Sequence, residues 1–363
     1  MMKYSFKLLP ALIVLSVGVQ ASPIQHSLSV SATAEHDSNP AMSSTNSESV
    51  NRAIITPSYT FKRVKDNTEL SLNAKLILER SSDESLSIDR EDPSANLDWI
   101  LYNPRGSLSL GLSYVESATR ISELEDTGLL SADATREKTT AKVGWNRELD
   151  EVNTLVLDLA YDDVSYSAGN FTDYNNTSLS ARLNHKLDEL RTVFGKLSAD
   201  YYEPGDNTPE SEQYNLGVGL DWQHSELLST LFEAGINYND NTSDTGWTAS
   251  ADVNYNEERY STTLGYSRSS SASGSGGFSE SDSINLTGNY LLDDYSSIGA
   301  SLSWRDNRSA DNQSTLFRIY GNRELSEDLS LNVSYQYKET ESTTSDADAD
   351  IFSVMLSYQL SEL

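Results

Sequence analysis

Apolar and polar residues alternate along most of the chain beyond residue 22. In residues 68–79 every second position is apolar, and the positions between carry Ser, Asn, Lys and Glu, with one Ile. The same alternation recurs in residues 107–114, 213–222 and 328–337. Because successive side chains of a strand point to opposite faces, each segment is predicted to be a β-strand with one apolar and one polar face.

About eighteen such segments follow one another, and sixteen is the alternative count. They start near Gln25, Val50, Thr68, Ser94, Ser107, Arg136, Asn153, Asn175, Arg191, Glu212, Leu227, Gly246, Arg259, Glu280, Tyr295, Gln313, Asp328 and Asp348. Short turns separate some of them, at 65–67, 103–106, 149–152, 187–190, 256–259 and 292–295. Longer connections rich in Ser, Asp and Gly separate others, at 37–49, 81–93, 119–135, 270–279 and 339–347. Short turns at one end and longer loops at the other are typical of an outer-membrane barrel.

The predicted fold is therefore all-β, a transmembrane antiparallel up-and-down β-barrel with short periplasmic turns and longer acidic extracellular loops. A soluble β-sandwich is the competing fold. Segments of about 10–13 residues match a tilted span of the bilayer, whereas sandwich strands are usually shorter. The polar face also carries mostly Ser, Asn, Thr and Gly in place of long charged side chains.

Aromatic residues repeatedly lie near the ends of the apolar faces. In a membrane barrel such residues form girdles at the two interfaces, with the ring buried and its polar group hydrated. The girdle candidates are Tyr59, Trp99, Tyr114, Trp145, Tyr161, Trp222, Trp247, Tyr266, Trp304 and Tyr358.

The first 21 residues have the features of a secretory signal peptide. Lys3 and Lys7 precede the apolar run 8–19, and small residues follow at 19–21. Residues 22–363 are then expected to form a single outer-membrane barrel domain. The partners expected from this location are outer-membrane lipid, lipopolysaccharide and the barrel-assembly machinery. The chain contains no Cys, which excludes disulfides and thiolate metal sites.

The chain carries a formal net charge of −29, and acidic residues concentrate in the predicted long loops. The segments 81–93, 119–135 and 339–350 are the most acidic of these. Two interpretations stay open: solvation of the outer rim, or binding of divalent cations that bridge it to anionic glycans. Asp346, Asp348 and Asp350 do not match a calcium-binding loop. The charge also argues against a nucleic-acid partner.

The predicted inner face carries charges of both signs, in roughly equal numbers. They could brace the wall as cross-strand ion pairs or contact a polar solute. The candidates for lining the lumen are Lys75, Glu79, Asp98, Lys142, Asp158, Arg182, Lys196, Asp221, Glu233, Asp252, Arg305 and Arg318.

Little in the sequence indicates catalysis. Four His occur, at 26, 36, 185 and 224, and only His36 approaches the outer rim, beside Asp37 and Ser38. Adjacent residues of a strand point to opposite faces and cannot form a relay by themselves. No nucleophile elbow, zinc spacing or phosphate loop occurs in the sequence. We therefore expect no enzyme activity, no cofactor and no metal.

The first strand ends in SATAEHDSNP (31–40), and the next contains ITPSYTF (55–61). A first strand ending in an Asp-Ser-Asn-Pro turn, with a Pro in the return strand, resembles the beta-barrel porin-2 family. That resemblance implies an outer-membrane barrel, with some members associated with exopolysaccharide export.

Three functions follow from this fold. The favoured one is a conduit for export of a secreted polysaccharide, which requires a periplasmic polysaccharide-export component to gate it. The alternatives are a passive porin for small hydrophilic solutes and a non-transporting structural or surface barrel. About eighteen strands enclose a lumen wide enough for an aqueous channel unless a segment fills it.

Overall fold

The structure is a computed structural model that describes residues 24–126, 134–167, 171–240, 244–342 and 346–361. The predicted signal peptide, residues 1–21, lies outside the described residues. Among the described residues, no helix has the length and apolar content needed to cross a membrane.

Eighteen strands and one short helix make up the described chain. The strands are β1 (Ile24–Asp37), β2 (Val50–Lys65), β3 (Thr68–Ser81), β4 (Arg90–Asn103), β5 (Gly106–Ala118), β6 (Thr135–Glu148), β7 (Asn153–Tyr166), β8 (Tyr174–Lys186), β9 (Arg191–Pro204), β10 (Ser211–Gln223), β11 (Leu228–Asn239), β12 (Asp244–Asn256), β13 (Tyr260–Ala272), β14 (Phe278–Asp293), β15 (Ser296–Asn307), β16 (Asn312–Glu324), β17 (Leu329–Ser342) and β18 (Asp346–Ser361). The helix α1 (Thr119–Asp126) follows β5.

Each strand pairs with the next along the chain in antiparallel register, and β1 pairs with both β2 and β18. The sheet therefore closes on itself as an 18-stranded up-and-down barrel. The predicted fold class is confirmed, and the alternative count of sixteen strands is wrong. Where all eighteen strands are paired, closure leaves no free sheet edge, which is the condition for strands to cross a bilayer.

The turn after β1 fastens the seam that closes the barrel. The Asp37 side chain accepts a hydrogen bond from the Asn39 backbone N–H at 3.0 Å, which ends the strand in an Asx turn. The Ser38 backbone N–H donates to the Asp350 carbonyl at 3.0 Å, and the Asn39 amide donates to the Asp348 carbonyl at 2.8 Å. The Asp-Ser-Asn sequence thus joins the first strand to the last.

The apolar face of the sheet is the outer face of the barrel. Leu110 and Leu112 remain 43% and 56% exposed, whereas Arg52 on the polar face is 3% exposed. Polar-face residues also contact strands that are not their neighbours, which is possible only across the interior. Gln213 of β10, for example, hydrogen-bonds to Ser270 of β13.

Two of the periplasmic turns, those after β6 and β8, have the same pattern of hydrogen bonds. Asp150 and Asp188 each accept two backbone N–H groups from the residues that start the next strand, at 2.8 to 3.0 Å. The Asn153 side chain adds a further bond to Asp150, and Arg191 does the same for Asp188. These hydrogen bonds hold the pKa of both carboxyls below the ordinary Asp value.

Several strands extend further outward than the hydrophobic pattern indicated. β4 begins at Arg90 and not near Ser94, and the connection predicted at 270–279 shrinks to 273–277. The acidic segment 339–350 was predicted to be mostly loop, but its described residues lie in β17 and β18. The reason is that the ladder hydrogen bonds continue past the apolar belt into polar sequence, where alternation of hydrophobicity no longer marks the strand.

Candidate channel interior

A network of ion pairs centred on Arg52 lies at the outer end of the lumen, on the inner face of β1, β2 and β3. The Arg52 guanidinium lies 2.7 Å from Glu35, 2.9 Å from Asp37 and 3.3 Å from Glu79. Its side chain has no exposed surface. Three carboxylates surround one buried cation, so the cost of removing the guanidinium from water is offset by charged hydrogen bonds.

The loop between β5 and β6 begins with α1 and folds toward this network. Arg120 of α1 donates to Glu79 of β3 at 2.7 Å. Glu123 of α1 accepts a hydrogen bond from the Tyr166 hydroxyl of β7 at 2.9 Å, and lies 3.5 Å from Arg136 of β6. One turn of helix thus reaches two strands away on either side, which places α1 inside the mouth of the barrel.

A second inward segment comes from the opposite part of the wall. Pairing of β12 with β13 stops at Ala249 and Arg268, although β12 stays paired with β11 up to Asp244 and β13 with β14 up to Ala272. Beyond this point the end of the β13–β14 hairpin, residues 269–280, bends into the lumen, while Ser281 and Asp282 stay paired with β15. We call this segment the inner hairpin end.

The outward face of the inner hairpin end packs against the inner wall. The Gln213 side chain of β10 donates to the Ser270 carbonyl at 3.3 Å and accepts from the Ser270 hydroxyl at 2.5 Å. Glu280 lies against Gly246 of β12 in the same way, since a Cβ added at Gly246 would sit 2.8 Å from the Glu280 carboxylate. The hairpin end therefore lines the barrel from within instead of completing its wall.

The tip of the inner hairpin end crosses to β7, β8 and β9. The Tyr202 hydroxyl donates to the Ser273 carbonyl at 3.3 Å, and the Thr172 backbone N–H donates to the Gly274 carbonyl at 2.8 Å. Phe278 packs on Tyr202 with ring centroids 6.2 Å apart, beside Val164 and Tyr174. Tyr202 has no exposed surface. The outer half of the lumen is thus narrowed from two sides.

The inward rings of Phe194 and Tyr320 pack against protein groups, whereas Tyr102 of β4 is 46% exposed. The Arg182 guanidinium lies 3.5 Å from the Phe194 ring centroid, and the other side of the ring lies on Gly219. Tyr320 lies on Gly299 in the same manner, with Arg318 at 5.5 Å. Phe194 is consequently 4% exposed. A sugar ring would need free aromatic faces in succession, and these rings do not provide them.

The strand register places all twelve predicted lumen residues on the inner face, in cross-strand rows. One row joins Asp98, Gly111 and Lys142, and another joins Arg182, Lys196 and Gly217. The inner-face set is Lys75, Glu79, Asp98, Lys142, Asp158, Arg182, Lys196, Asp221, Glu233, Asp252, Arg305 and Arg318. Their contact with a solute stays a prediction.

Two of the predicted lumen residues have a more specific place. Lys196 lies 3.8 Å from Glu233, which bridges β9 and β11. Glu79 is buried beneath α1, between Arg52 and Arg120, and so does not face open lumen. Sequence analysis missed Arg52 and Gln213: their positions in β2 and β10 indicate the inner face, but nothing in the sequence indicates what they contact.

The ten girdle candidates lie on the outer face of the barrel, in two groups. Tyr114, Tyr161, Trp247, Tyr266 and Trp304 lie toward the extracellular ends of their strands, and Tyr59, Trp99, Trp145, Trp222 and Tyr358 toward the periplasmic ends. Their role at membrane interfaces stays a prediction.

The His residues have ordinary polar neighbours. His36 Nδ1 lies 3.0 Å from the Asn51 side chain, and His185 Nδ1 lies 2.9 Å from that of Asn153. Within the part of the chain that the structure describes, no group of three His, Cys, Asp or Glu residues is arranged to hold a metal ion.

Solved outer-membrane proteins share this architecture. OpdQ of Pseudomonas aeruginosa matches with a TM-score of 0.53 at 11% identity, over 94% of this chain and 100% of its own. OpdO of the same organism matches with a TM-score of 0.53 at 12% identity, over 94% of this chain and 98% of its own. The outer membrane protein OprD, also of Pseudomonas aeruginosa, matches with a TM-score of 0.50 at 11% identity, over 94% of this chain and 94% of its own. The chain has the fold of an outer-membrane β-barrel. At this identity the likeness concerns the fold, and no protein-family model and no curated protein matches the sequence.

Proposed function

We propose that the protein is an outer-membrane channel for passive diffusion of small hydrophilic solutes. One observation carries the proposal: a closed wall with a polar inner face is narrowed at its outer mouth by α1 and by the inner hairpin end. A polar lumen admits hydrated solutes, and a narrowed mouth sets an upper limit on their size. The shared fold with OprD, an outer membrane protein, supports the location.

Polysaccharide export was the function favoured by the sequence, and the structure supports it less well. A polymer needs an open passage through both halves of the barrel, whereas the outer half is crossed by two packed segments. It also gains from exposed aromatic faces, yet Phe194 and Tyr202 are almost wholly covered. None of the compared structures lends support to an exopolysaccharide exporter.

The middle of the lumen supplies the polar surface that a solute would contact. Lys142 and Asp98 flank Gly111 in one cross-strand row, and Lys196 of β9 and Glu233 of β11 form an ion pair elsewhere on the wall. Both charges occur in roughly equal numbers among the predicted lining residues. We therefore expect weak ion selectivity, in which neither cations nor anions are strongly excluded.

The test is conductance of the purified barrel in planar bilayers, together with swelling of proteoliposomes. The solutes are a zwitterionic amino acid, a monosaccharide and a tetrasaccharide. We expect stepwise conductance, and swelling rates that fall with solute size until the tetrasaccharide is excluded. Absence of any conductance or swelling would overturn the proposal in favour of a structural barrel.

Deleting the gene in a strain that secretes a polysaccharide distinguishes passive diffusion from polysaccharide export. Passive diffusion predicts unchanged extracellular polymer in the deletion strain and in its complemented control. Loss of secreted polymer with polymer retained inside, restored by the complementing gene, would overturn the proposal in favour of an export conduit.

A further inference from the structure

The seam between β12 and β13 is open along its outer part. Both strands continue past the last pair, Ala249 and Arg268, but they pair only with β11 and β14. Continuing the antiparallel register by one residue at a time would place Thr248 opposite Ser269, Trp247 opposite Ser270, Gly246 opposite Ser271 and Thr245 opposite Ala272. The observed structure therefore contains a second, unused set of strand partners.

The sequence at this seam suits two arrangements. Residues 269–277 read Ser-Ser-Ser-Ala-Ser-Gly-Ser-Gly-Gly, with no large side chain that commits the strand to either environment. Gly276 and Gly277 have φ values of 99° and 76°, which only glycine adopts easily and which turn the chain sharply at the tip. A segment of small residues specifies strand register weakly.

Two side chains lie at the open seam, beside the backbone groups that the unused pairing would engage. Arg268 Nε donates to the Trp247 carbonyl at 3.2 Å, and its guanidinium lies 4.2 Å from the Trp247 ring centroid. The Asn237 amide oxygen is buried against Gly246 and has no hydrogen-bond partner among the described residues. The open seam is thus capped by one side chain and backed by an unsatisfied polar group.

The two arrangements offer similar numbers of hydrogen bonds. The inward position of the hairpin end is held by the two Gln213–Ser270 bonds and by those from Tyr202 and Thr172. Four further rows of an antiparallel ladder would supply about four backbone bonds. The hydrogen bonds of the two sets are similar in number, and the packing of Phe278 on Tyr202 favours the tucked position that the structure shows.

We propose that residues 269–280 form a hinged gate with two positions. In the tucked position, which the structure shows, the hairpin end lies in the lumen. In the zipped position it pairs with residues 245–248 of β12, completes the wall and clears the mouth. The hinge is the Ala249–Arg268 pair, where the existing ladder ends. The effect on conductance rests on the proposed function as a channel, whereas the existence of the two positions does not.

Disulfide locking tests the gate, and the chain has no Cys of its own to interfere. Thr245→Cys with Ala272→Cys locks the zipped position, and the same variant kept in reductant represents the tucked one. Asn254→Cys with Thr263→Cys is the matched control, because these residues are already paired in the same seam. Each double variant is folded in reductant and then oxidised, and disulfide formation is read on gels.

We expect both disulfides to form. The zipped lock should raise the unit conductance in planar bilayers relative to the same protein in reductant. The control disulfide should leave the conductance unchanged, and reductant should reverse the effect of the zipped lock. The proposal is overturned if the Thr245–Ala272 variant stays reduced while the control oxidises, or if its disulfide forms without a change in conductance.

Failure of the channel function gives a different result. If neither the reduced nor the oxidised proteins conduct, the proposed function fails, and the gel assay still decides whether the zipped position exists. Efficient formation of the Thr245–Ala272 disulfide in a non-conducting barrel would keep the two positions and remove only their role as a gate.

Discussion

The guanidinium of Arg120, in the helix α1, lies 2.7 Å from the carboxylate of Glu79 on β3. Glu79 also contacts Arg52, so one buried carboxylate links the loop helix to the ion network of the wall. This contact runs between elements that are separated by β4 and β5 in the sheet. Together with the contacts of Glu123 to Tyr166 and Arg136, it holds α1 in the mouth.

Replacing Arg120 should widen the channel. Arg120→Gln removes the charge that attracts α1 to Glu79, and we expect a larger unit conductance and faster swelling with the larger solutes. Arg80→Gln is the matched control, because Arg80 is half-exposed and pairs with Glu91 on the outer face. Equal conductance of both variants and the wild type would show that α1 is held by other contacts.

The Phe194 ring lies flat against Gly219, and it fits there because glycine has no side chain. A Cβ at Gly219 would lie 2.2 Å from Phe194 Cζ and 2.4 Å from the Phe232 carbonyl oxygen. Gly219→Ala should displace Phe194 and with it Arg182, which would lower the unit conductance and the thermal stability. A Cβ at Gly195 would meet nothing within 4 Å, so Gly195→Ala should behave as wild type.

The measurements for these glycine variants are single-channel conductance and the temperature at which heat modifies mobility on gels. A Gly219→Ala barrel with wild-type values for both would mean that the ring turns aside without consequence. A loss of stability in Gly195→Ala, where the added methyl group meets nothing, would contradict the steric account.

A charge at the lipid-facing position 110 should impair assembly. Leu110 is on the outer face and Ser109 on the inner face of the same strand. Arg at the bilayer midplane on the lipid side costs about 2–4 kcal/mol, whereas a lumen position stays hydrated. We expect Leu110→Arg to reduce folded barrel in a refolding assay and Ser109→Arg to leave it near the wild-type yield. Equal yields would mean that the faces are assigned the wrong way round.

The turn at Asp188 should contribute stability that depends on pH. Its pKa is held below the ordinary value by the Arg191 side chain and by backbone N–H groups, so the folded state favours the carboxylate. The stabilisation is complete above the ordinary Asp pKa of about 3.9 and is lost as the pH falls through the lower folded-state pKa. Asp188→Asn should therefore unfold more readily in urea at neutral pH and match the wild type at the acid end. Glu189→Ala should match the wild type throughout, and a pH-independent difference for Asp188→Asn would contradict this account.

The strand ends show where sequence analysis loses information. Alternation located every strand because the lipid-facing side chains must be apolar. It placed the start of β4 near Ser94 and the last loop at 339–347, because the ladder continues into residues where both faces are polar. Hydrogen bonding between neighbouring strands, which no local pattern records, sets those ends.

The interior shows a second limit. Alternation assigned Lys75, Asp98, Lys142 and the other predicted lining residues to one face, and the register places them there. It gave no reason to connect Arg120 with Glu79 or Gln213 with Ser270, since these pairs are 41 and 57 residues apart in sequence.

The sequence by itself determined that this protein is a closed sheet of about eighteen strands with an apolar outside and a polar inside. That information is local, because each strand must satisfy the membrane on one face and water on the other. Only the tertiary structure decided that α1 and residues 269–280 lie in the lumen, that the rings of Phe194 and Tyr202 are covered and that one seam is open. Those features depend on contacts between distant strands. The alternation of apolar and polar residues within a single strand does not determine which of these contacts form.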